Sequence, residues 1–398
     1  MVEIQRYFNA PENQGNFQFP IPESAYTWQN VGRLFHTVDV LRGGPVAELP
    51  LALDESIGRI AFEKGQTSET VDSHLDDYPV DAFLVAHRGE IVFERYNTMR
   101  PQDKHIWFSA SKQCGSTIMA LLEEQGLIDV KKPVPAYLPE LAGSAWDETT
   151  VEDVLDMANG LDSTEHDEPA QDTRTNPDRV YFQWGVTIGM FVNPDQEERD
   201  PFAVLRGMQR KYPGHTAFEY NSINPYVMNR INERLTGMPT NVLLSDLIWS
   251  KIGAEHDMQL GISTQGHPML FGFASSTLRD MARYGMIFTP SWNKVSEERI
   301  VSESILRMLQ TTGDPSIYGK GYVGKEMERN FPDDRGITNR YQWDAVFTDG
   351  DLYKGGIGGQ GLYVSPSRDL VINWFSTSDG TNQEETMARA IAKTFPMN

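Results

Sequence analysis

Residues 106–129 read IWFSASKQCGSTIMALLEEQGLID, and in them a lysine stands three positions after a serine at the mouth of an otherwise small and apolar helix. The spacing of Ile118, Leu121 and Leu122 predicts a helix from Gln113 to Ile128, with Gly126 as a stop after Glu123-Glu124-Gln125. Ser109 is a good N-cap type, so the plain reading is a capped helix carrying one solvated lysine. The chemical reading is a nucleophile with its own proton acceptor one turn away. Residues i and i+3 share a helix face, so the hydroxyl and the amine can meet. A serine hydroxyl is a poor nucleophile until a base takes its proton. A lysine serves as that base only when burial lowers its pKa. The helix N-terminus adds free N–H groups and a positive potential for a developing oxyanion.

The 398 residues fit one large domain or two. A hydrophobic content of 39% with 11% aromatics is that of a globular chain. The apolar runs fall far short of the ~18 residues that span a bilayer. The opening MVEIQRYFNAPENQ lacks a basic-then-apolar pattern, so no secretory signal is expected. The single cysteine, Cys114, excludes an internal disulfide and a cysteine-rich metal site, and in this apolar helix it reads as a small buried hydrophobe. Together these features predict a cytoplasmic protein. The formal charge of −21 repels a phosphate backbone, so the expected partner is a small molecule and not nucleic acid or membrane. A homodimer is compatible with everything in the sequence.

Residues 1–50, rich in Pro, Asn and Gln, read as an irregular arm over the surface. The segment DAFLVAHRGEIVFERY, residues 81–96, predicts a hairpin turning at His87-Arg88-Gly89-Glu90. From about 130 to 265 the signals are mostly helical: TTVEDVLDMANGLD has a Thr cap and a Gly160 stop, and NPYVMNRINERLTG closes at Gly237. SSTLRDMARYGMIF is a further helix with Ser275 or Ser276 as its cap. The tail returns to strands, with DLYKGGIGGQGLYVSPSRDLVINWFS as a Gly-rich strand, a Pro/Ser turn and an apolar strand, before the amphipathic helix QEETMARAIAKTF. The expected layout is an α/β domain built from 1–105 and 266–398, a mainly helical domain from 106–265, and a cleft at their junction.

Other stretches carry residues capable of chemistry. A second Ser-x-x-Lys, Ser291 to Lys294, follows Pro290 in a polar stretch with nothing to bury its lysine, and reads as a turn. Tyr220-Asn221-Ser222 brings a phenol that ammonium groups could hold as a tyrosinate base; taken alone it reads rather as a strand tyrosine with its ring in the core, and Tyr363-Val364-Ser365 repeats the spacing. The run from Lys354 to Gly361 allows close backbone approach by a ligand, but it is followed by a strand, which excludes a P-loop or a dinucleotide fingerprint. Glu165-His166-Asp167-Glu168 reads as a solvated loop and not a metal site, since adjacent loop residues seldom converge on one ion; a second Glu-His-Asp at 255–257 shows how common the tripeptide is. No H-E-x-x-H is present, so zinc hydrolysis is unsupported and no metal or cofactor is expected; no G-x-S-x-G surrounds a likely nucleophile, which argues against an α/β-hydrolase. His215 reads as structural.

Ser-x-x-Lys opening a helix, then Tyr-x-Ser, then Lys-x-Gly on a late strand, in that order, resembles the signature of the penicillin-recognising serine hydrolases. The chain is similar to their class C β-lactamase-like branch, which also holds family VIII carboxylesterases, D-amino-acid peptidases and 6-aminohexanoate-dimer hydrolase. The resemblance runs from about residue 80 to the end and includes LDMANGLD and SSTLRDMARYG, and the long opening arm resembles the nylon-oligomer hydrolases. It implies a β-lactamase/transpeptidase-like α/β (α+β) fold, an antiparallel sheet flanked by helices plus an α-helical domain. It also implies roles. Ser109 would be acylated, Lys112 would take its proton, and Tyr220 would act on the leaving group and the deacylating water. The N–H groups of Ser109 and Ile357 would form the oxyanion hole. Ser222, Lys354, Gly355 and Gly356 would line the substrate site, and one of Glu165, Asp167 and Glu168 would contact a substrate amine. Two departures count: Ser222 replaces the asparagine of the tyrosine motif, and Lys-Gly-Gly lacks the hydroxyl of Lys-Thr/Ser-Gly. The expectation is therefore a hydrolase of esters or small linear amides, ahead of acyl transfer, β-lactam or D-amino-acid peptide cleavage, or a non-catalytic binding protein.

Overall fold

The computed structural model describes residues 2–10, 13, 17–18, 20–21, 23–65, 67–165, 173–191, 193, 199–379 and 382–397. The strands among these residues are β1 (Thr37–Val40), β2 (Ala61–Lys64), β3 (Thr67–Thr70), β4 (Val80–His87), β5 (Glu90–Tyr96), β6 (His105–Ile106), β7 (Met258–Gly261), β8 (Ala274–Ser276), β9 (Thr338–Arg340), β10 (Trp343–Val346), β11 (Leu352–Gly356), β12 (Gln360–Ser365) and β13 (Leu370–Ser376). Seven form one antiparallel sheet in the order β5-β4-β13-β12-β11-β10-β9, so its strands come from both ends of the chain. A smaller antiparallel sheet runs β1-β7-β8-β6, and β2 pairs with β3.

The large sheet is buried on both faces, and the period of two along β4 sorts its side chains. Ala82, Leu84 and Ala86 join the core that holds α1 (Lys112–Glu124), α2 (Ile223–Thr236) and α3 (Leu278–Met286). Phe83 and Val85 join a second core under α4 (Glu384–Thr394). α1 is buried along its first three turns, from Lys112 to Leu122, and packs on α2. Gly115 permits that closeness, because a Cβ there would lie 2.5 Å from Asn229 Oδ1 and 2.7 Å from the Met228 methyl.

The hairpin, the Gly237 stop and the C-terminal helix form as the sequence predicts; Arg88 and Gly89 turn the hairpin at φ 54° and 82°. Other boundaries differ for physical reasons. The helix expected from Gln113 begins at Lys112, behind a 3-10 turn at Phe108–Ser111, and ends at Glu124. The cap of α3 is Thr277, whose side chain accepts from Asp280 N, because Ser275 and Ser276 pair with Ile106 and His105 in β8. The Thr150-capped helix stops at Leu155 and not at Gly160, since the next residue, Asp156, is held by Arg340 and the Tyr341 N–H. The Gly-rich tail stretch is two strands, β11 and β12, reversed at Gly358 and Gly359. The opening arm is partly regular, with helices at Val2–Asn9 and Ser24–Trp28, and its β1 pairs with β7, a strand inside the stretch expected to be helical. The second Ser-x-x-Lys is a 3-10 turn, Pro290–Lys294, capped by Thr289.

Candidate active site

The nucleophile turn is anchored at both ends. Before it, β6 pairs with β8 and the Trp107 N–H donates to Ala274 O at 2.8 Å. After it, the chain enters α1. Between them Phe108 takes φ 45°, a left-handed conformation that costs a non-glycine residue energy and so marks a conformation fixed by its surroundings. The Trp28 ring, from the opening arm, packs edge-on against Phe108 at 4.8 Å. Ser109 is the second residue of the 3-10 turn, so its N–H has no partner inside that turn.

Lys112 is 1% exposed, so the solvated reading fails. Its Nζ lies 2.7 Å from Ser109 Oγ and donates to Phe271 O at 2.6 Å. Burial brings its pKa down to about 7; Glu165 and Asp344 oppose the shift, while Lys354 and Arg174 reinforce it. Tyr220 is hydrogen-bonded to Ser109, and its ring lies between the two lysines, with Lys112 Nζ 5.3 Å and Lys354 Nζ 4.5 Å from its centroid. Burial, with Asp344 and Glu165 adding to it, holds the phenol well above its ordinary pKa, so Tyr220 is a neutral phenol at physiological pH and not a standing tyrosinate.

These groups meet at a cavity lined by Gln18, Phe108, Ser109, Lys112, Glu165, Tyr181, Met190, Ser222, Phe271, Gly272, Phe273 and Ile357. Its volume, about 20 Å³, is room for roughly one water. A larger cleft of about 650 Å³, between residues 43–47 and 293–298, holds none of the reactive groups. Chemistry and not volume therefore locates the site. Ile357 follows β11, and Gly356 seats that strand on the nucleophile turn: a Cβ there would lie 2.5 Å from Trp107 O and 3.0 Å from Ser109 N. Gly359 N donates to Gly356 O at 3.1 Å, and the Gln360 side chain donates to Ile357 O (3.1 Å) and Ser376 O (2.6 Å). Both peptides flanking Ile357 are thus pinned.

The structure brings Ser109, Lys112, Tyr220, Ser222, Glu165 and Ile357 together. Lys354 is not a lining residue: it is fully buried behind Tyr220, donating to Tyr220 Oη at 3.3 Å and to Asp344 Oδ1 at 2.5 Å. Gly355 donates its N–H to Asp344 Oδ2 at 3.0 Å. Glu165 is buried and not solvated, receiving Arg174 Nη2 at 2.8 Å and the Ser222 N–H. His166, Asp167 and Glu168 lie outside the described residues. Among the described residues, no group of three or more His, Cys, Asp or Glu side chains could hold a metal. His215 lies apart, at 3.5 Å from Asp314. Asp344, Tyr181 and Arg174 were missed. Tyr181 hydrogen-bonds to Ser222 and Glu165, and Asp344 stands opposite Lys354 through the register that pairs Ala345 with Tyr353. Only strand pairing could have signalled it.

Residues 68–394 match the family described as Beta-lactamase. The chain belongs to this family. It is 30% identical, over 88% of its own length and 84% of the relative's, to a 6-aminohexanoate-dimer hydrolase of Paenarthrobacter ureafaciens. A Bacillus anthracis structure provisionally assigned as a 6-aminohexanoate-dimer hydrolase superposes with a TM-score of 0.77 at 22% identity, covering 94% of this chain and 96% of that one. EstCE1, described as a hydrolase with promiscuous acyltransferase activity, superposes with a TM-score of 0.59 at 14% identity, covering 81% and 96%. The fold is that of the β-lactamases and transpeptidases, and the protein is a hydrolase of the serine β-lactamase-like type. Among the described residues no helix is long and apolar enough to cross a membrane.

Proposed function

We propose that this enzyme hydrolyses a small linear amide, or the corresponding ester, through an acyl-enzyme on Ser109. The observation that carries the reading is the buried Lys112 amine, with a pKa of about 7, set 2.7 Å from the serine hydroxyl. Lys112 takes the Ser109 proton as Oγ attacks the acyl carbon. The oxyanion forms between the Ser109 and Ile357 N–H groups. Tyr220 gives its proton to the leaving nitrogen or oxygen and regains one from Lys112. Water then attacks the acyl-enzyme, and its proton returns to Ser109 Oγ through Lys112. The net reaction consumes one water and releases an acid and an amine or alcohol.

A linear amide is favoured by the 30% identical 6-aminohexanoate-dimer hydrolase. Phe108, Met190, Phe271, Phe273 and Ile357 line the approach to Ser109 with apolar side chains. Efficient β-lactam turnover is disfavoured, since the late motif lacks its hydroxyl and the Lys354 side chain is already bound by Asp344. The test is intact-protein mass spectrometry after exposure to a fluorophosphonate and, separately, p-nitrophenyl acetate. One adduct on the wild type and none on Ser109→Ala is expected, and an adduct retained by Ser109→Ala would remove the assignment. Product analysis with an added amine then separates hydrolysis from acyl transfer.

A further inference from the structure

The two buried lysines of the site have different partners. Lys354, 0% exposed, faces a carboxylate: Asp344 spans Lys354 Nζ and the Gly355 N–H with its two oxygens, and Tyr318 Oη donates to the Asp344 carbonyl at 2.6 Å. Lys112 has a serine hydroxyl and a backbone carbonyl as its hydrogen-bond partners. An ammonium has three donors and no acceptor, whereas a neutral amine has one lone pair. An ammonium at Lys354 can therefore only donate to Tyr220 Oη. The Tyr220 O–H must then point the other way, to Ser109 Oγ, and the Ser109 O–H in turn points at the lone pair of Lys112. A neutral Lys354 would let the chain run in reverse, with the Tyr220 O–H pointing at the Lys354 lone pair and the Ser109 O–H pointing at Tyr220 Oη.

We propose that Asp344 is a positioning residue for the reaction: by holding Lys354 as an ammonium, it orders the chain Lys354–Tyr220–Ser109–Lys112 so that the serine proton points at an amine. This rests on the acyl-enzyme reading above, and it assigns the late-strand lysine to the proton chain and not to a substrate carboxylate. The charged groups acting on Lys112 are the pairs Glu165–Arg174 and Asp344–Lys354. Lys354 and Arg174 are each paired to a carboxylate, whereas Lys112 is hydrogen-bonded to a hydroxyl and a backbone carbonyl.

The test begins with the wild-type protein. Nitrogen-15 NMR of lysine side chains at pH 8.5, with Lys112→Ala and Lys354→Met for assignment, should show Lys354 as an ammonium and Lys112 as an amine. Two amines, or the reverse assignment, would overturn the proposal, and this reading requires no turnover. In Asp344→Asn, whose amide oxygen can still accept from Gly355, Lys354 should become an amine. The burst rate of Ser109 acylation by p-nitrophenyl acetate should fall at least tenfold, with KM changed less than twofold. An ammonium retained in Asp344→Asn, or an undiminished burst after its loss, would equally overturn it. If Asp344→Asn does not fold, Lys354→Met is read instead. It leaves Asp344 unopposed beside Lys112, so the acid limb of the burst rate should move to higher pH; an unmoved limb would mean that the pair is only a clamp between β10 and β11. The fluorophosphonate adduct on Ser109 is independent of all three readings, so the acyl-enzyme assignment and the role of Asp344 can fail separately.

Discussion

Burial lowers the Lys112 pKa to about 7, and this single fact predicts both a rate and a stability. Acylation of Ser109 needs the free amine, so the burst rate with p-nitrophenyl acetate should rise through pH 7, where Lys112 deprotonates. A burst flat from pH 5.5 to 8.5 would contradict the base assignment. Lys112→Ala should cost roughly 10³-fold in acylation, comparable with Ser109→Ala, because the two act as a unit. Stability runs in the same direction. The unfolded chain keeps this proton up to roughly pH 10, while the folded protein releases it at about 7. Between those values the unfolded state binds more protons, so this residue adds stability as pH rises. Lys112→Met should therefore raise the melting temperature by a few degrees at pH 6, and calorimetry should find the gain shrinking toward pH 10. The Ser109/Lys112 pair was legible because both members lie within one helical turn. Asp344 was not, because it is ten residues from Lys354 in sequence and only the β10/β11 register brings it there. Glu165 was read as solvated because the sequence around it is acidic; its burial depends on Arg174 and Ser222.

At the scale of elements, three pieces of chain converge on the nucleophile: the 3-10 turn before α1, the end of β11, and the opening arm. The contact between the first two depends on Gly356, since a Cβ there meets Trp107 O at 2.5 Å and the Ser109 N–H at 3.0 Å. Gly356→Ala should push Ile357 off the turn. Expected is a fall in acylation of at least tenfold with a loss of roughly 1–3 kcal/mol in stability, the range for overpacking. A denaturant titration beside the burst assay checks both, and full activity would mean that Ile357 N–H takes no part. The arm acts on the same two pieces. Trp28, fully buried, packs on Phe108 and against Gly358, donating its indole N–H to Phe17 O at 2.8 Å. Trp28→Ala should cost roughly 3–5 kcal/mol by cavity formation and slow acylation, with the Ser-x-x-Lys motif untouched. Sequence alone made this arm irregular because its Pro, Asn and Gln dominate the local pattern. The aromatic residues that bury it, Phe8, Phe17 and Trp28, are too widely spaced to show a period. The caps failed in a similar way: Ser275 and Ser276 are good cap residues locally, yet pairing with β6 claims them and passes the cap to Thr277.

For the molecule as a whole, the order of element types made part of the layout legible: strands near residue 85, helices after them, strands again from 351, although β9 and β10 fall in a stretch that reads as loop. That order places β4 beside β13 although nearly 300 residues separate them, and it puts the Ser109 turn where the sheet meets α1 and α2. No local pattern could give the pairing of β1 with β7, since it joins the arm to the interior of the helical stretch. Net charge is the other property belonging to the whole chain. At −21 the long-range field of the chain attracts cations and repels anions. Inside the site the charges offset one another, with Lys354 against Asp344, Arg174 against Glu165, and Lys112 neutral above pH 7. Discrimination among substrates by charge should therefore come mainly from the long-range field, which salt screens over a Debye length of about 10 Å at 0.1 M. The kcat/KM for a cationic thioester such as acetylthiocholine, divided by that for an anionic ester such as mono-p-nitrophenyl succinate, should fall severalfold between 20 mM and 500 mM sodium chloride. The value for neutral p-nitrophenyl acetate should stay nearly constant and report any general effect of salt on the enzyme. A ratio that favours the cation equally at both salt concentrations would instead place an unneutralised carboxylate within contact distance of the bound substrate.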